Sequence, residues 1–132
     1  MTTEPPSEGV ASSLSAYPVA ETMRRIEETA RRKGLTVFVR IDHGGNARDV
    51  GLTMQEEQLI VFGDPRAGTP LMVARPLVGL ELPLRVLVWQ DPWGRVWVSY
   101  NQSAFIAQRF GLPDGLEKNV GGVPTLIEEA LR

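Results

Sequence analysis

Between Arg32 and Leu35 the period of the hydrophobic pattern changes from about 3.6 residues to two, and no other feature constrains the fold as strongly. Before the break, in YPVAETMRRIEETARRKG, Val19, Met23, Ile26 and Ala30 recur at helical spacing and make one apolar stripe. Glu21–Arg25, Glu27–Arg31 and Glu28–Arg32 stand an i,i+4 step apart on the other side, acid first, the favourable order. Pro18 suits the first turn and Gly34 a C-terminal cap. After the break LTVFVRID alternates, so Leu35, Val37, Val39 and Ile41 are expected on one buried face, with Thr36, Phe38, Arg40 and Asp42 opposite.

The remaining pattern is mostly strand. QLIVF (58–62) is an uninterrupted apolar run suited to a central position, and LRVLVWQ (84–90) and RVWVSY (95–100) flank DPWG, a type I turn sequence. ASSLSAY offers a weaker first strand. Asn101 reads as the N-cap of a helix QSAFIAQRF stopped by Gly111 and Pro113, and Pro124 opens a last amphipathic helix, PTLIEEALR. Consecutive strands without long intervening helices favour an antiparallel sheet. The expectation is an α+β two-layer sandwich, with about four to five mainly antiparallel strands and helices on one face. One domain is expected over residues 10–132, after a flexible, polar tail from Met1 to Gly9.

Composition narrows the function classes. The net charge of −2 and pI near 5.4 argue against a nucleic-acid partner, which a basic excess would attract. With no cysteine, thiolate chemistry and cysteine-ligated metals are excluded. The opening MTTEPPSEG lacks the pattern of a secretory signal, and no apolar run approaches the ~20 residues that span a bilayer. A cytoplasmic protein without a membrane partner is the expectation.

FGDPRAGTPLM (62–72) concentrates glycine, proline and an Asp/Arg pair at a strand exit. Asp64–Pro65 is read as a turn, and Thr69–Pro70 as the N-cap and first turn of a short helix TPLMVAR that Pro76 closes. Such a helix start, with Arg66 and the Gly68 backbone beside it, would favour an anion. It is not a P-loop, since no GxxxxGK[ST] is present.

His43 is the lone histidine, and Asp42 precedes it at a strand end. Neighbours on a strand face opposite ways, so Asp42 cannot simply orient His43 as in a triad; Asp42 more simply caps a short helix NARDV. The candidate ligand site therefore joins Asp42 and His43 to Gly63, Asp64, Arg66, Gly68 and Thr69, with a small anion as its occupant. The alternative is an enzyme or metal-dependent activity using Asp42 and His43, with Arg66 steadying an anionic substrate. The residues themselves assign no catalytic group, metal or cofactor. Trp89 and Trp97 fall on the sheet face opposite the expected helices, and Trp93 at the hairpin tip. These three indoles make a candidate interface, best covered by a second copy in a homodimer.

FGDPRAGTPLM, LPLRVLVWQD (82–91), GRVWVSYNQSAFIAQRFGL (94–112) and TVFVRIDHGGNARDVGL (36–52), in that arrangement, resemble the domain of unknown function 302 family over about residues 14 to 131. The resemblance implies a compact α+β domain and a homodimeric assembly, and carries no established activity or catalytic residue. Where the family often has asparagine this chain has Asp64, and where it often has histidine this chain has Phe110. A family-wide role for that second histidine cannot operate here.

Overall fold

The computed structural model describes residues 7–132. Strands β1 (Val10–Ser15), β2 (Thr36–Asp42), β3 (Glu57–Gly63), β4 (Leu84–Gln90) and β5 (Val96–Asn101) form one antiparallel sheet in the order β1-β5-β4-β3-β2. The described helices are α1 (Val19–Arg32), α2 (His43–Asp49), α3 (Pro65–Ala74), α4 (Ser103–Phe110) and α5 (Val123–Ala130), with 3-10 turns at Pro76–Leu80 and Glu117–Val120. This is the expected α+β sandwich.

Helix α1 buries the stripe its periodicity marks out: Val19, Met23, Ile26 and Ala30 are all buried. Gly34 follows at φ +78°, a left-handed conformation that lets the chain reverse into β2. Together α1 and α5 cover one sheet face, packing on Ile60, Phe62, Val86, Val88, Val96 and Val98. A second cluster, built on Leu71, Val78, Ile106 and Val120, joins α3, α4 and both 3-10 turns. It sits at the end of the sheet where β3 leaves and β4 enters, and Leu84 touches both clusters.

Several local expectations change. The register of β2 against β3 shifts between Val37 and Val39, a bulge at Phe38. One extra residue reverses the side-chain parity beyond it. Val37 stays on the core side opposite Phe62, but Val39 and Ile41 turn to the other face, opposite Val61 and Leu59. Arg40 now points to the helical side, where it reaches Glu27 of α1 at 2.9 Å. An edge strand tolerates this because only one of its sides must keep a ladder.

The helix start in FGDPRAGTPLM moves too. Asp64, not Thr69, is the N-cap, accepting from Arg66 N–H at 2.9 Å, and Pro65 is the first helical residue. Gly68, Thr69 and Pro70 therefore lie inside α3. Asn101 ends β5 instead of capping α4; its side-chain amide donates to Glu81 at 3.0 Å, and Gln102 holds the cap position. On α1, Glu28 pairs with Arg24 at 2.7 Å, while Arg32 donates to Thr29. The first six residues of the expected tail lie outside the described residues. Its last part is a turn: Val10 N–H bonds Ser7 O, and Gly9 O accepts from Gln102 N–H.

Candidate functional site: an apolar pocket where strand β3 meets helix α3

Where β3 ends, the chain makes an immediate strand-to-helix transition. Proline pre-sets the φ of the first helical turn, and the Asp64 carboxylate takes an N–H that the helix cannot satisfy itself. The elements around this junction leave a cleft of about 230 Å³. Gly63 and Asp64 form one wall, Gly68, Thr69 and Met72 of α3 another. Leu82 and Pro83, on the approach to β4, close the third side. Phe38, thrown outward by the β2 bulge, stands at the rim, half exposed. The floor is held from below: Asn119 donates its side-chain amide to Ala67 O at 3.1 Å, fastening the 3-10 turn at Glu117–Val120 to α3.

The lining is mostly hydrocarbon, and its polar members are Asp64, Thr69 and Asn119. Gly68 is the narrow point. A methyl group on it would stand 3.6 Å from Leu82 Cδ1, ordinary contact distance, so the missing side chain is pocket space. No basic residue contributes to the wall. Arg66 lies on the exposed side of the helix start and its guanidinium takes no part in the pocket. With a carboxylate inside and the cation outside, the cleft is the reverse of the anion site that the loop suggested.

The candidate residues thus divide into two groups. Gly63, Asp64, Gly68 and Thr69 meet in one pocket. Asp42 and His43 are elsewhere: Thr36 pairs with Gly63 and Asp42 with Gln58, so Asp42 lies six residues further along the ladder. That is roughly 20 Å at the rise of a strand. Neighbouring antiparallel strands end at opposite ends of the ladder, and the two motifs were bound to separate. Asp42 caps α2, accepting from Gly45 N–H at 2.9 Å. His43 is the first residue of α2 and is partly buried. No cluster of three or more His, Asp or Glu suited to a metal occurs among the described residues.

The tryptophans form a second polar–aromatic group at the hairpin end. Trp89 and Trp97 stack with centroids 6.4 Å apart and planes 22° from parallel. Asp91, almost fully buried, accepts four hydrogen bonds: from Trp93 and Arg95 N–H to Oδ1, and from Arg95 Nε and Trp97 Nε1 to Oδ2, at 2.7 to 2.9 Å. Burial pushes its carboxyl up, but the donors of Trp97 and Arg95 outweigh it and hold the group at about 2. The Arg95 guanidinium sits 5.4 Å from the centroids of both Trp93 and Trp97. Trp97 is consequently 2% exposed within the single chain, whereas Trp93 is 63% exposed. Trp89 keeps part of its surface and donates to Ser99. The sequence marks Asp91 as the first residue of the DPWG turn; its role as acceptor for Trp97 appears once β5 brings the indole beside it.

No described helix is long and apolar enough to cross a membrane. The chain is nevertheless 42% identical over 112 residues to "Fluoride-specific ion channel FluC 1" of Brucella suis biovar 1 (strain 1330). That match takes in 85% of this chain and 43% of that protein. The protein of the same name from Brucella abortus biovar 1 (strain 9-941) matches at 42% identity, over 85% of this chain and 41% of its own length. The chain therefore spans less than half the length of these relatives. A solved structure, an uncharacterized conserved protein DUF302 from Bacillus stearothermophilus, superimposes with a TM-score of 0.77 at 16% identity, covering 95% of this chain and 97% of that one. The family model described as "Domain of unknown function DUF302" matches residues 11–131, and the chain belongs to that family.

Proposed function

We propose that this domain is a homodimeric accessory module that binds a small, mainly apolar molecule in the pocket beside Gly68. The observation that carries the reading is the pocket itself: a hydrocarbon-lined cleft with a few converging polar atoms is the usual form of a small-molecule site. A dry cavity of ~150 Å³ admits benzene, so about 230 Å³ suits a ligand of on the order of ten non-hydrogen atoms. Asp64 and Thr69 would accept from a hydroxyl or amine on its polar end. A bare anion, fluoride included, finds no cation in this lining.

The Brucella relatives are named as fluoride channels. A fold in which no described helix is long and apolar enough to cross a membrane suits a domain that accompanies a channel better than one that forms it. The distance along the β2–β3 ladder between Asp42–His43 and the Gly63–Arg66 loop favours the binding reading over the enzymatic alternative, which would use all three side chains at one substrate.

Titration of the labelled protein with indole or hexanol is expected to shift the amide resonances of Gly63, Gly68 and Thr69 first. Shifts that map consistently elsewhere would remove the site. Gly68 offers a sharper test. Gly68→Ala should stabilise the helix by up to about 1 kcal/mol, because glycine is a poor helix former. Gly68→Leu should fill the cleft and abolish the shifts while the protein stays folded. A variant with bulk at residue 68 that binds the probes as tightly as the wild type would place them outside this pocket.

A further inference from the structure

The sheet face turned away from α1 and α5 carries Val39, Ile41, Leu59, Val61, Leu87 and Trp89, and none of these joins either core cluster. Val39 is 43% exposed. The bulge in β2 enlarges this apolar field, since an unbroken strand would have turned Val39 and Ile41 inward. On the two middle strands of the field, β3 and β4, two positions facing the same way are charged. Glu57 stands opposite Trp89, and Arg85 stands opposite Val61. Both lie two residues from the Leu59–Leu87 pair, in opposite directions along the sheet.

That diagonal is self-complementary. Consider a second copy laid face to face, related by a two-fold axis perpendicular to the strands and passing over Leu59 and Leu87. Its Glu57 comes down above Val61, one strand spacing of about 5 Å from Arg85. Its Arg85 comes down beside Glu57 and over the Trp89 indole, a favourable seat for a guanidinium. One operation therefore makes two equivalent ion pairs around an aliphatic centre, as an isologous interface requires. A two-fold axis along the strands instead sets each Glu57 over Trp89 and each Arg85 over Val61, and leaves all four charges unpaired. The favoured axis also keeps the strands of the two sheets aligned, the common way for sheets to stack. Both side chains are free to exchange partners: Glu57 now accepts from Gln55, and Arg85 donates to Leu80 O at the exposed surface.

We infer that this face binds a second copy of the chain through reciprocal Glu57–Arg85 pairs. The inference rests on the homodimeric reading above and specifies its surface and axis. Sedimentation velocity at micromolar concentration tests both separately. Wild type is expected to sediment as a dimer, and Glu57→Arg and Arg85→Glu each as a monomer with at least tenfold weaker association. The double exchange, and an equimolar mixture of the two single variants, should both recover the dimer, because every interchain contact again joins opposite charges. Recovery in the mixture also shows that neither variant has simply misfolded. A wild-type monomer overturns the homodimer itself. A wild-type dimer that survives either single reversal overturns this face and axis while leaving the homodimer standing, and so does a mixture that stays monomeric.

Discussion

Phe62→Ala is expected to cost about 3–5 kcal/mol, the usual range for truncating a buried phenylalanine. The ring is 1% exposed and lies on the core side of β3, between Val37 of β2 and Leu84 of β4. It also packs in the cluster that α1 and α5 close, so a void there cannot collapse without moving a helix against the sheet. Domains of this size hold about 5–15 kcal/mol in total, and the variant would lose a large part of it. Urea unfolding followed by tryptophan fluorescence should show a much lower midpoint with an unchanged slope. Leu52→Ala, at a position 64% exposed, should change the unfolding free energy by no more than about 0.5 kcal/mol. Equal effects at the two positions would contradict the assignment of the core.

The second large effect belongs to Asp91. Asp91→Ala leaves Trp97 Nε1 and Arg95 Nε without their acceptor inside the protein and opens the turn that both backbone N–H groups hold. A buried donor without a partner is costly, and the melting temperature is expected to fall by on the order of 10 °C. Acid should reveal the same group. Its folded value, about 2, lies below its ordinary value of 3.8, so the unfolded chain takes up the proton first as pH falls. The stabilisation is complete above about pH 4 and disappears as pH drops through 2. Glu21, held at about 2 chiefly by its hydrogen bond from Arg24, with burial opposing and Arg25 adding to the lowering, loses its stabilisation as pH falls from its ordinary value of 4.5 through 2. Comparison with Asp91→Asn isolates the contribution of Asp91. The variant's stability should fall less steeply between pH 4 and 2, by about one proton's worth of slope. Parallel curves for the two proteins would mean that Asp91 is not held as the hydrogen bonds indicate.

Local signals in the sequence carried far where one residue type has few alternatives. The α1 stripe, the DPWG hairpin and the sheet class all follow from periodicity and turn chemistry, because these express themselves over neighbouring residues. The Asp42 cap was legible for the same reason. Where two local signals competed, tertiary contact chose between them. Thr69–Pro70 and Asp64–Pro65 are both plausible helix starts. The earlier one prevails, which lets α3 bury Leu71 in the second cluster.

What the sequence determined by itself is thus most of the elements and the caps at Asp42 and Gly34, since each of these depends on contacts a few residues long. What the tertiary structure decided is which of their ends meet. The antiparallel pairing of β2 with β3 sent His43 and Asp64 to opposite ends of their ladder. It also brought Phe38, Leu82 and Asn119 around Gly68. The bulge at Phe38 reassigned Val39 and Ile41 to the open face. Strand register is a long-range property: one inserted residue reverses every side chain after it, and no short-range pattern records that choice.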